Sequence, residues 1–296
     1  MGSMRYVLLA FVFLTYLATV LASVSVMLLV LLDTSLHKPM YIFLFGLVLN
    51  GLIGSTAVWP KVMRILSTNN PLISHKGCLI QAFVIICYGS NNFCLLAVMA
   101  YDRFVSIFRP LQYHTVMTPW KVKQLMLVAI LIPTTLILVQ IVMTSQLHSC
   151  KNNVARMYCD NLAVVALSCL NSNSIQRQAG NLYGIIVIII IVALPICLVL
   201  LSYLRIIMLS FKWSQNARKK VFETCSPHII IFVNFSLVSL FSLCYNRVSA
   251  ILPESVNILM SINWILIPPL LHPIVYGIKT KEIRQRFSKA IRRLSL

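Results

Sequence analysis

Long apolar stretches separated by short polar ones dominate this chain, and the pattern predicts its main elements. A helix needs about 20 predominantly apolar residues to cross a bilayer. Seven runs reach that length: Tyr6–Leu32, Pro39–Leu66, Gly77–Phe108, Lys123–Met143, Leu182–Phe211, Phe222–Tyr245 and Val256–Ile278. The first run is too long for a cleavable signal peptide. We therefore predict an all-α membrane protein, a seven-transmembrane helix bundle that forms one domain over residues 1–296.

The composition agrees with a membrane protein. Of the 296 residues, 59% are hydrophobic and 10% are charged, whereas soluble proteins carry about 25% charged residues. The net charge of +19 would suggest a nucleic-acid partner in a soluble protein. Here the Lys and Arg residues cluster at the ends of the apolar runs, so we expect membrane lipid as the partner and no nucleic acid.

The positions of the basic residues also predict an orientation. With the N-terminus outside, most of the 25 Lys and Arg residues fall on the inner side, as the positive-inside rule requires. The segment 279–294 is amphipathic, and we expect it to lie as a helix on the inner membrane surface. Its apolar face consists of Ile283, Phe287, Ala290, Ile291 and Leu294.

Four of the nine cysteines fall on the outer side in this orientation: Cys78, Cys150, Cys159 and Cys169. Four cysteines in an oxidising compartment can form two disulfides. Zinc binding is the alternative, but the spacings of 9 and 10 residues within the loop fit no common zinc pattern.

The stretch MAYDRFVSIFRPLQYHT, residues 99–115, places Asp102 and Arg103 side by side at the inner end of the third run. The planar guanidinium can pair with Asp102 in a closed bundle and reach the backbone of an inserted partner helix in an open one. Glu223 is another acid that could hold Arg103, although pairing with Lys219 or Lys220 is an alternative. Snorkelling of Arg103 to the interface is the alternative to a functional role.

Five motifs in order resemble the odorant (olfactory) receptor family of rhodopsin-like G-protein-coupled receptors. One of them is the Asp-Arg stretch itself. The other four are LHKPMYIFL (36–44), SYLRII (202–207), ARKKVFETCSPHI (217–229) and PPLLHPIVYGIKTKEIR (268–284). The resemblance implies a plasma-membrane receptor that binds a small odorant and activates a heterotrimeric G protein of the stimulatory olfactory type, raising cyclic AMP. It implies no cofactor and no enzymatic activity. The ending of the last motif suggests a fish-like branch.

The resemblance also implies residue roles. Disulfides should join Cys78 to Cys159 and Cys150 to Cys169. The predicted switch and coupling residues are Asp102, Arg103, Tyr203, Pro273 and Tyr276. The predicted ligand cavity in the outer half of the bundle is lined by Ile85, Ile86, Gly89, Ser90, Ile188, Ser236, Ser239, Leu240, Leu243, Ile262 and Ile265. For any single cavity residue the alternative is helix packing, and for each tyrosine it is an interfacial aromatic belt.

The chain departs from the family pattern at the sodium pocket. The family's acids in the second and third helices fall on Gly51 and Asn92, and the Asn of the seventh helix is His272. These changes predict that the sodium pocket is lost. Near the outer end of the second helix, Lys61 and Arg64 leave an opening for a carboxylate ligand.

The sequence also predicts an order of ligand preference. The outer halves of the predicted helices carry no inward-facing acid, so an ammonium group would be buried without a counter-ion. We therefore rank neutral odorants first, carboxylates second and amines last.

Three other function classes fit the sequence less well. A transporter or channel would place acids in mid-span and show an inverted repeat, but the six acids lie near the ends of the runs or in loops. A retinal photoreceptor needs a Lys in the middle of the seventh helix for a Schiff base, and that stretch reads SINWILIPP. Common enzyme motifs such as HExxH and GxSxG are absent from the sequence.

Overall fold

The computed structural model describes residues 2–68, 72–148, 150, 158–169, 174–248 and 254–294. Within these ranges the chain forms helices α1 (Gly2–Leu32), α2 (Pro39–Thr56), α3 (Trp59–Thr68), α4 (His75–Phe108), α5 (Tyr113–Val116), α6 (Pro119–Ser145), α7 (Asn161–Leu167), α8 (Ser174–Ile188), α9 (Leu194–Ser210), α10 (Gln215–Val248), α11 (Glu254–Lys279) and α12 (Lys281–Leu294).

The predicted apolar runs all lie in these helices, which confirms a helical membrane bundle. Six stretches of the described chain are long and apolar enough to cross a bilayer, and α11 contains the seventh run. The helices extend beyond the runs at their polar ends. The largest difference is at the fifth run, where α8 begins at Ser174 rather than at Leu182.

The second predicted run is two helices rather than one. Helix α2 ends at Thr56 and α3 begins at Trp59, with Pro60 in the first turn of α3, where a missing N–H is tolerated. The side-chain amide of Gln81, on α4, donates to the backbone carbonyl of Ala57 at 2.8 Å. The Ala57 carbonyl, which lies in the break between α2 and α3, therefore has a hydrogen-bond donor on the neighbouring helix α4.

The fifth span contains a wider helical turn in its middle. Residues Ile189–Ala193 form a π-helical turn between α8 and α9, directly before Pro195. Proline has no N–H to continue the α-helical hydrogen-bond ladder, and a π turn accommodates such a break. The backbone irregularity of this span, next to Pro195, is thus a widened turn.

Helix α4 lies at the centre of the bundle and packs against α2, α6 and α9. The core around it contains fully buried side chains, among them Phe43, Leu44, Leu95 and Leu96. Because lipid is as apolar as leucine, close packing stabilises such contacts more than apolar burial does. A Cβ on Gly54 would lie 2.8 Å from the Tyr88 Cβ, so glycine permits the close approach of α2 to α4.

Candidate functional site

Two disulfides hold the loop between α6 and α8 over one end of the bundle, which is the outer end in the predicted orientation. One joins Cys78 to Cys159, with Cα atoms 5.3 Å apart, and the other joins Cys150 to Cys169, with Cα atoms 5.0 Å apart. The backbone N–H of Cys159 also donates to Gln81 Oε1 at 3.0 Å. The pairing is the one that the family resemblance implies, and it fixes α7 above α4.

Beneath this loop lies a cavity of about 390 Å³ between α4, α6, α7, α8, α10 and α11. Its volume falls within the range of about 300–1,000 Å³ that is usual for small-molecule sites. Its lining combines aliphatic and aromatic side chains with several hydroxyls, side-chain amides and two charged groups, Asp160 and Arg177.

Six of the predicted ligand residues line this cavity: Ile85, Ile86, Gly89, Ser90, Ile188 and Ser239. Ser236 is buried but does not line it. Leu240 is wrong as a cavity residue, since 44% of its surface is exposed; it follows Ser239 by one position and is therefore turned about 100° around the helix. The side chains of Leu243, Ile262 and Ile265 lie outside the described residues.

The inner end of the cavity is built around Trp264, which the sequence analysis did not identify. Its indole N–H donates to Ser239 Oγ at 3.1 Å, and its ring meets Tyr88 edge-on at 5.6 Å between centroids. A Cβ on Gly89 would lie 3.0 Å from the indole. The ring therefore connects α4, α10 and α11 at the inner end of the cavity.

The outer part of the cavity is polar. Thr144 Oγ1 donates to Asn161 Oδ1 at 2.8 Å, and Asp160 accepts the Ala163 N–H at 2.6 Å, which caps α7. Arg177 of α8 also lines this part. Arg177 precedes the apolar run that begins at Leu182, so hydropathy gave no sign of it, although Arg177 lies eleven residues before Ile188 and thus on the same helical face.

The cations proposed from the sequence as a carboxylate dock lie elsewhere. Neither Lys61 nor Arg64 lines the cavity. Arg64 donates to the Leu72 carbonyl at 2.8 Å in an exposed position, as expected for the rim. The cation that reaches the cavity is Arg177.

At the inner end of α4, Arg103 pairs with Asp102 at 3.3 Å. Asp102 is fully buried and also accepts the Tyr113 hydroxyl at 2.7 Å, while the Arg103 guanidinium contacts Met40 Sδ. Glu223 pairs with Lys281 at 3.4 Å. Within the described residues the partner of Glu223 is therefore Lys281 on α12, and neither Arg103 nor Lys219 or Lys220, the two alternatives offered by the sequence, pairs with it in this arrangement.

A buried hydrogen-bond chain joins three helices near the same level. Tyr203 on α9 lies 2.7 Å from His228 Nδ1 on α10, and His228 Nε2 lies 2.9 Å from the Leu96 carbonyl on α4. The ring nitrogen that faces the carbonyl, Nε2, must carry the hydrogen. In a neutral ring Nδ1 therefore accepts a hydrogen bond from the Tyr203 hydroxyl. His228 belongs to the ARKKVFETCSPHI motif, but the motif alone does not indicate this link between three helices.

Helix α11 carries buried polar groups that are not satisfied. Within the described residues, both ring nitrogens of His272 and the hydroxyl of Tyr276 have no hydrogen-bond partner. Both residues are 1% exposed and flank Pro273, which lies inside the helix. Groups of this kind call for an explanation, and a second helix arrangement that satisfies them would provide one.

The position of the absent sodium-site acids is polar and neutral. Asn50 donates to Asn92 Oδ1 at 3.1 Å and to the Tyr88 carbonyl at 2.9 Å. A Cβ on Gly51 would lie 3.5 Å from Pro269, so α2 and α11 approach closely there. Amides thus take the place of carboxylates between these helices.

Helix α12 is held to the inner end of the bundle by ion pairs. Glu282 accepts Lys38 Nζ at 3.0 Å and the Tyr41 hydroxyl at 2.7 Å, and Arg286 lies 3.4 Å from Asp33. Of the predicted apolar face, Ile283 is buried and Phe287 is 45% exposed. The side chains of Ala290, Ile291 and Leu294 lie outside the described residues.

The contacts of Glu282 are present at neutral pH. Burial raises the pKa of Glu282, but the hydrogen bonds from Tyr41 and Lys38 outweigh it, so the pKa lies below its ordinary value. A lowered carboxyl pKa contributes stability above the ordinary pKa, and this contribution is lost only as pH falls through the lowered value.

Comparison with known proteins gives one consistent family. The model of the olfactory receptor family matches residues 11–293. Olfactory receptor 52K2 of Homo sapiens is 34% identical over 274 residues, 92% of this chain and 86% of that protein. Olfactory receptor-like protein OLF3 of Canis lupus familiaris is 34% identical over 286 residues, which are 95% of this chain and 87% of that protein. Olfactory receptor 1 of Rattus norvegicus is 30% identical over 273 residues, which are 91% of this chain and 84% of that protein.

Proposed function

We infer that this chain transmits an odorant signal across the membrane, because it belongs to the olfactory receptor family of G-protein-coupled receptors. It is a multi-pass plasma-membrane receptor and not an enzyme. The proposal is that a small odorant binds in the cavity of about 390 Å³ and that the inner end then activates the stimulatory olfactory G protein, which raises cyclic AMP.

The observation that carries this proposal is that the same helices contribute to both ends. Helix α4 contributes Gly89 to the cavity and Arg103 to the inner ion pair. Helix α11 contributes Trp264 to the cavity and, twelve residues later, the unsatisfied Tyr276. A ligand that displaces Trp264 therefore acts on a helix whose inner half has polar groups in need of partners.

In the proposed mechanism the ligand alters the contact of Trp264 with Ser239, which joins α11 to α10. The inner end of α10 then moves away from α4, and the His228 link to the Leu96 carbonyl opens. Arg103 leaves Asp102 and donates to the backbone of the inserted G-protein helix, for which its planar set of donors is suited.

The test is a cyclic-AMP response screen with an odorant panel in cells that express this chain and the stimulatory olfactory G protein. Arg103→Ala should abolish the response while ligand binding remains. The matched control is Arg109→Ala, because Arg109 is an exposed cation six residues further along. A full response from well-expressed Arg103→Ala would contradict the coupling role.

A further inference from the structure

We propose that Glu282 on α12 is a positioning residue for Arg103, because its carboxylate draws the guanidinium toward α2. Arg103 is thereby held away from α10, where the G-protein helix inserts in the proposed mechanism. The inference rests on the proposed function, since it concerns the residue that couples to the G protein. It means that the restraint on Arg103 comes from α2 and α12 rather than from an acid on α10.

The first step is the hydrogen bonding of Arg103. Its guanidinium lies 3.3 Å from Asp102 Oδ2, yet that buried oxygen accepts no hydrogen bond within the described residues. The acceptor that the guanidinium does contact there is Met40 Sδ on α2. A thioether is a weak acceptor, whereas a carboxylate is a strong one. Arg103 is thus turned toward α2 although its neighbour in the chain offers the better acceptor.

The second step is the anion on the α2 side. Tyr41 follows Met40 and is 5% exposed, and its hydroxyl donates to Glu282 Oε2 at 2.7 Å. Lys38 Nζ donates to both oxygens of the same carboxylate at 3.0 Å. Two donors therefore fix this carboxylate at the start of α2, where Arg103 makes its contact with Met40.

The charge of Arg103 also acts on Glu282. Burial raises the pKa of the Glu282 carboxyl, and hydrogen bonds from Tyr41 and Lys38 lower it. The positive charges of Lys38 and Arg103 lower the pKa further, so that it lies below its ordinary value. Glu282 is therefore ionised at neutral pH, and the attraction between the two opposite charges pulls the guanidinium toward α2.

Two other acids near the inner end have cations of their own. Glu223 on α10 pairs with Lys281 at 3.4 Å, and Asp33 lies 3.4 Å from Arg286. Asp33 also caps the short helical turn that follows α1, through the Ser35 N–H. Within the described inner end, Glu282 is thus the acid of another helix that acts on Arg103.

The strength of this restraint suits control of the ligand-free receptor. The Glu282 side chain is 50% exposed, so water screens its charge and the attraction is weak. A weak restraint shifts the population of receptors in which Arg103 is free, and it does not prevent activation by a ligand. Loss of the Glu282 charge should therefore appear first as activity without ligand.

The test measures ligand-free nucleotide exchange on the purified stimulatory olfactory G protein, with the full-length receptor in lipid nanodiscs. The variants Glu282→Gln and Lys38→Gln remove the same ion pair, but only Glu282→Gln removes the anion that acts on Arg103. In Lys38→Gln the Tyr41 hydroxyl still holds the carboxylate. Asp33→Asn is a further control, because it removes the other ion pair between α12 and the end of α1.

We expect Glu282→Gln to raise ligand-free exchange about twofold to fivefold, the effect of a partly exposed charge. Lys38→Gln and Asp33→Asn should leave the rate at the wild-type value, although each loosens α12. Equal increases in Glu282→Gln and Lys38→Gln would overturn the proposal, because attachment of α12 alone would then explain them. An unchanged rate in Glu282→Gln would also overturn it, provided that a bound odorant activates the wild type.

A second measurement needs no G protein. Glu282→Gln should shift the melting temperature less in an Arg103→Gln receptor than in the wild type, whereas Lys38→Gln should shift it equally in both. Arg103→Met replaces Arg103→Gln if that variant does not fold. Equal shifts for Glu282→Gln in the two backgrounds would overturn the attraction between the side chains. A smaller shift, in a receptor whose bound odorant does not accelerate exchange, would support the position of Arg103 and contradict the proposed function.

Discussion

At the scale of single residues, two tyrosines of the inner half differ in their hydrogen bonding. Tyr203 reaches His228 at 2.7 Å, whereas the Tyr276 hydroxyl is buried without a partner among the described residues. An unsatisfied buried hydroxyl costs about 1–3 kcal/mol. Tyr276 therefore favours any arrangement of α11 in which its hydroxyl finds an acceptor, and Tyr203 favours the present one.

The first residue-scale prediction concerns Tyr276→Phe. Removing a hydroxyl that has no partner should leave the melting temperature of the ligand-free receptor unchanged or raised, while the maximal odorant response falls. Tyr203→Phe is the control, since it breaks an existing hydrogen bond and should lower stability by about 1 kcal/mol. A Tyr276→Phe receptor with a full odorant response would show that the hydroxyl is not used in activation.

The residues that the sequence identified are those with a local signature. Asp102 and Arg103 are neighbours in the chain, so their contact at 3.3 Å needs no knowledge of the fold. Arg177 and His228 have no such signature, because their roles depend on which helices meet them. The polar turns at the start of α8 also continue a helix beyond the apolar run, and hydropathy alone does not detect this.

At the scale of elements, the contact between α10 and α12 is a candidate restraint on activation. Glu223 and Lys281 lie 3.4 Å apart at 47% and 72% exposure. Exposed pairs of this kind contribute at most about 1 kcal/mol, so the restraint is weak and adjustable. It opposes the same outward movement of α10 that the proposed mechanism requires.

We therefore predict that Glu223→Lys raises the basal cyclic-AMP level by no more than about fivefold, the equivalent of 1 kcal/mol. Lys281→Glu alone should do the same, and the double exchange should restore the basal level because it re-forms the pair. Lys279→Glu is the control for the change in net charge, since Lys279 makes no ion pair in the described chain. If the double exchange is as active as the single ones, the pair does not restrain α10.

The two disulfides should differ in their contribution to stability. Cys78 and Cys159 are 81 residues apart, whereas Cys150 and Cys169 are 19 apart. Because a longer closed loop restricts the unfolded chain more, Cys78→Ser should cost about 1 kcal/mol more than Cys150→Ser. The measurement is the melting temperature and surface expression of each variant. Peptide mapping without reduction that found Cys78 free would contradict the pairing itself.

The membrane-spanning helices were predictable because their length and hydropathy alone identify them. Length and hydropathy placed all the spans, since a bilayer demands about 20 apolar residues. They did not reveal the break after Thr56 or the π turn at Ile189–Ala193. Both depend on the backbone hydrogen bonds near a proline, and the pattern of apolar residues does not predict these.

For the whole molecule, the receptor divides into an outer cavity and an inner group of polar contacts. Helix α4 runs through both and packs against most of the bundle. With the N-terminus outside, the disulfide-held loop and the cavity face the odorant and α12 faces the cytoplasm. The excess of basic residues on the α12 side supports this orientation, which stays a prediction, as does the fish-like branch.

The central claim is that occupation of the cavity activates a G protein through the inner end of this one chain. The most direct measurement is nucleotide exchange on the purified stimulatory olfactory G protein, reconstituted with the purified receptor in nanodiscs, with and without an odorant that binds. The account predicts faster exchange when the odorant is added, and no acceleration with the Arg103→Ala receptor. Exchange that is no faster than with empty nanodiscs, although the odorant is bound, would contradict it.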